Sequence, residues 1–312
     1  MPRAASSAAL LRTLSTSRSL SGLAMTACCF ALLGCGREPV GAVQVYEFTQ
    51  PVDLPAFKQT LLAREVKIIA DTEEEQLQKA EKLLTGMVDW RINVDIKLAN
   101  VKRLDDGAYE VGIYGERPDR QAMVERRLSR KGSLGFHALA CRGLDDDVIA
   151  AAEATNAEEV PGKAGRIARW AKLALRSDGK PRATLDDSRL VRRTRDGRDE
   201  VLLMVDPELN VSELNLKKIF YANDDAGRIA LRYWLDAPSG IALAKAGERL
   251  RRETSLPRRL GVLFEGELVD ARPIDGPLGD HGIVSGIESP EDARDWVAIF
   301  THGPLPSPMR KR

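Results

Sequence analysis

The sequence lacks the short motifs by which several large enzyme classes hold phosphates, metals or an acyl group. It contains no Walker-type Gly-rich loop, no G-x-G-x-x-G, no H-E-x-x-H and no G-x-S-x-G. Each of those motifs brings backbone N–H groups, metal ligands or a nucleophile to one point. Their absence argues against an NTPase, a dinucleotide enzyme, a zinc protease of that type and an α/β-hydrolase.

Histidine is scarce, with only His137, His281 and His302 in the chain. They are far apart in sequence, whereas metal-ligand clusters usually show closer spacing, so we interpret them as surface or core residues. The segment Asn223–Gly227 is weakly similar to a calcium loop but lacks the distal Glu, and therefore predicts a turn. The sequence thus predicts no catalytic residue, no metal and no cofactor.

An excess of charge of one sign is also absent, because 47 Lys and Arg stand against 46 Asp and Glu, for a formal net charge of +1. No global field therefore favours a nucleic-acid partner. Arginine is concentrated between Arg189 and Arg198, but acidic residues alternate with it. That pattern favours a solvated loop, with phosphate binding as the other interpretation.

Long hydrophobic runs are missing after residue 35, so no transmembrane helix is predicted there. Before that point, Arg3, Arg12 and Arg18 without any acidic residue precede an apolar run, Leu20–Leu33. This order is typical of a secretory signal, and the run is too short to span a hydrocarbon core of about 30 Å. A plain signal or anchor and an organelle transit peptide remain as alternatives.

The end of that run, Leu32-Leu33-Gly34-Cys35, resembles the bacterial lipobox, in which the cysteine is acylated and becomes the first residue. The resemblance implies a signal peptide at 1–34, lipid attachment at Cys35 and a lipidated tether at 35–65. A short strand is predicted within the tether near Val43–Phe48. Several acyl chains anchor firmly, since each buried CH₂ contributes about 0.8 kcal/mol. Cys141 would be the one thiol left, so the fold would depend on its core rather than on disulfides.

Residues 66–141 alternate between the apolar periods of strands and helices. One helix is predicted to begin after Thr72, which with Glu75 forms a capping box, and another at Pro118. Strands are predicted at Lys67–Ala70, Val94–Leu98, Tyr109–Tyr114 and Ser133–Ala140. This order predicts a ferredoxin-like (split βαβ) base.

Residues 142–199 are predicted to be a charged, helical insertion. The Ala- and Glu-rich stretch Ala150–Glu159 favours one helix, and Gly165–Leu175 favours a second, amphipathic one. Asp145–Asp147 would cap the first of them, because carboxylates stabilise the positive end of a helix dipole.

Residues 200–308 carry the clearest local signals of the chain. Strands are predicted at Val201–Val205 and Arg228–Leu235, with a helix at Gly240–Leu250. Beyond them, two strands flank a Glu265-Gly266 turn, in which Gly266 would supply a positive φ. A last helix would begin at Ser289 and end at a Gly303-Pro304 exit. We interpret these four turn and exit residues as structural.

Two stretches of this sequence resemble SecD, the accessory subunit of the bacterial protein-export channel. The first holds AEKLLTGMVDWRIN and GAYEVGIYGERPDRQAMVERRLSRKGSLGFHALA, and the second holds GVLFEGELVDARP, GIVSGIESPEDARDW and GPLPSP. Together they cover roughly 72–141 and 200–308. The resemblance, to the first periplasmic domain of that family, implies an α+β fold with a ferredoxin-like base and an α+β head subdomain.

The resemblance also implies a function. In SecD this domain is similar to a movable cap that contacts a chain emerging from the channel; the six membrane helices of the family have no match here, so no energy coupling is implied. We expect a non-enzymatic lipoprotein of the bacterial envelope, facing the periplasm, whose partners are channel subunits or unfolded exported polypeptides. Neither nucleic acid nor a small-molecule substrate is expected. The alternatives are an envelope lipoprotein with a single dedicated partner and, less favoured, an enzyme.

Replacing Cys35 by Ser should release the protein from membranes, because the acyl chains would have no attachment point. Fractionation of cells followed by immunoblotting measures the change. Cys141→Ser is the matched control and should leave the protein in the membrane pellet. Retention of the Cys35→Ser variant in that pellet would contradict lipid attachment at this residue.

Overall fold

The strands and helices of this computed structural model are described for residues 40–312, apart from 65, 95–96, 116, 163–164, 210 and 253–256. In chain order they are β1 (Val40–Phe48), α1 (Leu54–Ala63), α2 (Glu73–Asn93), β2 (Ala99–Arg103), β3 (Tyr109–Tyr114), α3 (Pro118–Leu128), β4 (Leu134–Ala138), α4 (Asp146–Glu153), β5 (Glu159–Gly162), β6 (Gly165–Lys172), β7 (Arg192–Arg195), β8 (Arg198–Met204), β9 (Leu216–Asn223), β10 (Ile229–Leu235), α5 (Ala237–Arg252), β11 (Arg259–Phe264), β12 (Glu267–Pro273), β13 (His281–Val284), α6 (Pro290–Thr301) and β14 (Met309–Lys311).

The base is a four-stranded antiparallel sheet in the order β14-β1-β3-β2. With α2 following β1 and α3 following β3, this is the split βαβ arrangement, so the predicted α+β fold with a ferredoxin-like base is confirmed. Apolar side chains of both helices, among them Leu84, Val88 and Val124, pack against buried Val111 and Ile113 of the sheet. Burial of each such side chain stabilises the fold by about 1.5–3 kcal/mol.

Two strands of this base differ from the prediction. The first is β1, which contains the short strand predicted near Val43–Phe48 but belongs to the base sheet and not to a tether. Lys67–Ala70, predicted to be the first strand of the base, forms no strand. The last is β14, near the end of the chain, whereas Leu134–Ala138 joins another sheet. Strand pairing is a non-local property, and the local apolar pattern could not distinguish these candidates.

The start of the predicted strand Val94–Leu98 is also different. Strand β2 begins at Ala99, and residues 95–96 lie outside the described part of the chain. Asn93, the last residue of α2, accepts hydrogen bonds from the backbone N–H groups of Leu98 and Ala99 at 2.7 and 3.0 Å. The end of the helix therefore sets where the strand begins.

The head consists of everything between α3 and β14. Three further antiparallel sheets make it up, in the orders β12-β11-β4, β13-β10-β9 and β5-β6-β8-β7. Helix α6 packs its buried face, including Trp296, Ile299 and Phe300, against the first two of them. The head is thus inserted between the second helix and the last strand of the base.

The predicted helical insertion is mostly β-sheet. Helix α4 ends at Glu153, and the expected amphipathic helix is strand β6, in which Ala168 and Trp170 are buried on one face. Its pairing with β8 selects the strand conformation over the helical period that the same residues also fit. The arginine-rich stretch is a hairpin of β7 and β8, closed by Asp196 and Gly197 with φ of 51° and 72°.

The hairpin of β11 and β12 has the two-residue turn expected for it. Glu265 and Gly266 both have positive φ, 52° and 80°, as a type I′ turn requires. A Cβ added at Gly266 would meet no atom within 4 Å. Side chains there are therefore disfavoured by backbone conformation rather than by a clash.

Replacing Gly266 by Val should destabilise the protein by about 1–2 kcal/mol, because a β-branched residue is strained in the left-handed region. Urea unfolding measures the change. Gly276→Val is the control, since Gly276 also has open space around it but no positive φ. Equal stability of the two variants would refute the role assigned to Gly266.

Candidate functional site: the base–head junction and the open sheet of the head

The predicted site residues fall at one place, except Cys35, which lies outside the described residues. Glu265 and Gly266 form the tip of a head hairpin, and Gly303 and Pro304 follow α6. Both groups meet the segment 129–133, by which the chain leaves the base for the head. We call residues 129–133 and 302–308, the two connections between base and head, the junction.

The first connection is held by the hairpin tip. The Glu265 carboxylate accepts hydrogen bonds from the backbone N–H groups of Lys131, Gly132 and Ser133, with distances of 3.2 Å to Lys131 and 2.8 Å to Ser133. The backbone N–H of Glu265 donates to the carbonyl of Ser133 at 3.0 Å. A second link joins the two connections, from the N–H of Leu305 to the carbonyl of Lys131 at 2.9 Å.

A buried arginine of the base binds both connections. Arg91, on α2, is 1% exposed, and its guanidinium lies within hydrogen-bond distance of five backbone carbonyls. They belong to Arg127, Arg130, Lys131, Ile299 and Gly303. Burial lowers the pKa of Arg91 to about 9, which leaves it charged at neutral pH. The carbonyl dipoles offset the cost of burying that charge.

The conformation of Gly303 belongs to the same arrangement. Its φ is 90°, and a Cβ at this position would overlap the guanidinium of Arg64. Glycine therefore lets the chain turn out of α6 while its carbonyl, 2.7 Å from Arg91, faces inward. Pro304 then begins the return to the base.

An ion pair fixes α6 to the base beside the junction. Asp295 of α6 is 1% exposed and accepts from Nε of Arg126 at 2.7 Å and of Arg127 at 2.9 Å. Arg127 is fully buried and also donates to the carbonyl of Ile92 at the end of α2. Three helices are thereby joined through one carboxylate.

The sheet β13-β10-β9 presents its outer face to solvent, and we call it the open sheet. Its inner face, with Ile219, Leu231 and Tyr233, is buried in the head core. Cross-strand pairing arranges the outer face in two rows of three side chains. These are Lys218, Trp234 and His281 in one row and Phe220, Arg232 and Ile283 in the other.

Aromatic rings run across these rows. The centroids of Phe220 and Trp234 are 5.0 Å apart, those of Trp234 and His281 are 5.9 Å apart, and both pairs are stacked. The ammonium of Lys218 lies 5.2 Å from the Phe220 centroid and 5.9 Å from that of Trp234. Such a combination of aromatic surface and cations is typical of interaction surfaces.

One edge of the open sheet is unpaired. In the described part of the chain β10 is the one strand neighbour of β9, and Lys218–Asn223 makes no backbone hydrogen bond to a described residue outside that pair. Tyr221, in the middle of β9, is 46% exposed. An eight-residue strand with free N–H and C=O groups can accept a further strand.

The scattered histidines and the lone thiol are not brought together. His137 is half-buried in β4, where desolvation and the nearby Arg169 lower its pKa to about 4, so it is neutral at pH 7. His302 contacts Trp90 of the base with tilted rings, and His281 lies on the open sheet. Burial raises the pKa of Cys141, which disfavours its thiolate. Among the described residues, no group of three His, Cys, Asp or Glu is arranged to hold a metal ion.

Several of these features had no sequence signal. The alternation in Arg228–Leu235 predicted β10, but Arg91 and Asp295 are single charged residues on predicted helices, and nothing in the sequence marks them as buried. Within the described ranges, no helix is both long and apolar enough to cross a membrane.

Comparison with known proteins supports the resemblance predicted from the sequence. The chain is 29% identical over 117 residues to the protein translocase subunit SecD of Aquifex aeolicus, a match that covers 38% of this chain and 22% of that protein. The resemblance to SecD is thus confirmed, over about a fifth of the relative's length. No model of a protein family matches the chain.

Solved structures of SecDF are also similar. One, in a form called super-membrane-facing, is 13% identical with a TM-score of 0.48, covering 86% of this chain and 29% of that one. A second, described as a membrane component that enhances protein export, is 13% identical with a TM-score of 0.45, covering 86% and 97%. A third, from Thermus thermophilus, is 14% identical with a TM-score of 0.29, covering 88% and 30%.

Removing Arg127 should destabilise the protein far more than removing its neighbour Arg126, although both bind Asp295. The side chain of Arg127 is 0% exposed and that of Arg126 is 43% exposed. We expect Arg127→Met to cost about 3–5 kcal/mol, because it breaks a buried pair, and Arg126→Met to cost below about 1 kcal/mol. Urea unfolding compares them, and similar losses would contradict a buried ion pair that joins α6 to the base.

Proposed function

We propose that this protein is a non-enzymatic, membrane-tethered module that assists protein export by contacting polypeptide as it leaves the export channel. The observation that carries the proposal is the open sheet, an unpaired strand edge beside half-buried aromatic rings and the exposed Lys218, in a chain that resembles SecD. Unfolded polypeptide has unpaired backbone groups and apolar side chains, and such a sheet offers partners for both.

The junction supports a role in which the base is tethered and the head carries the contact surface. The base and head are joined by two adjacent connections; Arg91 binds both of them, and Glu265 binds the first. The open sheet belongs to the head, so its position relative to the base depends on these contacts and on the ion pair that fixes α6 to α3 through Asp295. Lipid attachment at Cys35 would tether the base to a membrane of the bacterial envelope, with the head facing the periplasm.

Crosslinking in cells tests this function. A photoreactive residue at Tyr221 of β9 should capture many exported chains, channel subunits or both, identified by mass spectrometry. The matched control is Ile69 of the base, which is 77% exposed but belongs to no strand. We expect substantially fewer exported chains from that position.

Two outcomes would refute the proposal. Capture of a single envelope protein from Tyr221 would favour the alternative, a lipoprotein that keeps the fold for one dedicated partner. Equal capture of exported chains from Tyr221 and Ile69 would show that contact does not depend on the open sheet.

A further inference from the structure

We infer that the open sheet selects extended segments in which acidic side chains alternate with apolar or aromatic ones, and binds them as an additional strand beside β9. This inference rests on the proposed function and specifies which polypeptide segments the same surface takes. Three features of the described residues carry it: the charge of the outer face, the arrangement of its rings and the free edge.

The outer face carries cations without acidic counterparts. Its rows contain Lys218 and Arg232, and neither makes an ion pair or hydrogen bond with a described residue. No acidic side chain belongs to the two rows; the nearest carboxylate in sequence, Asp280, hydrogen-bonds to His281 at 2.8 Å. Both cations are therefore available to carboxylates of a partner, and a lysine-rich partner would be repelled.

On the outer face, cations alternate with aromatic rings both from strand to strand and along β9. Lys218 is paired with Trp234 on the neighbouring strand, and Phe220 is paired with Arg232. Along β9 itself, Lys218 and Phe220 are two residues apart and so share the outer face. A strand added beside β9 would likewise present every second side chain to this face. An acidic residue opposite Lys218 and an apolar or aromatic one opposite Phe220 would match it.

The edge defines the orientation of the partner. Backbone hydrogen bonds to β9 would align the segment along its eight residues, whatever the sequence. Affinity would thus come mainly from the backbone, and selectivity from the alternating side chains. Lys218 at this edge also limits pairing between copies of the protein, because like charges directly opposite each other are destabilising.

Binding of two synthetic peptides to the full-length protein tests the selectivity. One, of the length of β9, alternates aspartate with leucine and phenylalanine, and the other has lysine in place of each aspartate. We expect the acidic peptide to bind at least about tenfold more tightly at low salt, since its charge contacts with the exposed Lys218 and the half-buried Arg232 change from attractive to repulsive. Fluorescence anisotropy measures both affinities, and the preference should shrink as salt is raised.

Charge reversal on the sheet should remove the preference. The double variant Lys218→Glu/Arg232→Glu changes two outer-face side chains and should bind the lysine peptide at least as tightly as the acidic one. Lys102→Glu is the matched control, an exposed lysine on the edge strand β2 of the base, and should keep the original preference. Trp90→Ala, which removes a 47% exposed ring from the base, should also keep it.

The outcomes separate this inference from the function it rests on. Equal affinity for the two peptides, with crosslinking from Tyr221 intact, would overturn the selectivity and leave the export function standing. Loss of both peptide binding and crosslinking would overturn both. A third experiment measures binding of the protein without its lipid anchor to vesicles of anionic lipid. If such binding is abolished by the double variant and competes with the acidic peptide, the occupant of the sheet is a membrane surface, and the inference is overturned.

Discussion

The structure depends on a topological constraint, which is that the chain must pass between base and head twice. The last strand of the base, β14, is supplied only after the whole head has been made, so the base sheet is incomplete until the second connection returns. Arg91 meets this constraint by binding carbonyls of both connections with one guanidinium. Its burial is tolerable because the surrounding carbonyls replace the water that it loses.

Buried charged residues hold the helices together beside the two connections. Arg91, Arg127 and Asp295 are all essentially buried where α2, α3 and α6 meet. Buried ion pairs rarely add net stability relative to apolar packing, but breaking one is costly, so they penalise other arrangements of the same helices. We therefore interpret them as fixing how the head is mounted rather than as the main source of stability. That stability comes from the apolar clusters of base and head.

An unpaired strand beside half-buried rings is an arrangement that most proteins avoid, because a free strand edge can template aggregation. Here β9 combines it with Lys218 on the outer face. The same charges that discourage self-association give the surface its preference for acidic partners. The same side chain thereby contributes to resistance against edge pairing and to the proposed selectivity, since both follow from Coulomb interaction between groups of like or opposite sign.

Local patterns predicted the fold class, most helices and the β11–β12 hairpin, because caps, turn residues and apolar periods act over a few residues. Thr72, for example, accepts from the N–H of Glu75 as a helix cap should. The same patterns misassigned β6 as a helix, placed the strand of β1 in a tether rather than in the base, and gave no sign of β14. Their residues fit more than one conformation, and the choice lay in which distant strand they could pair with.

The candidate site shows the same division. By itself the sequence determined its turn and exit residues, Glu265, Gly266, Gly303 and Pro304, because backbone conformation at glycine and proline is a local property. Only the tertiary structure decided that these residues meet at the junction, that Arg91 is buried between them, and that Lys218, Phe220 and Trp234 form one surface. Burial and cross-strand neighbours are set by residues far away in the chain, and no local pattern contains them.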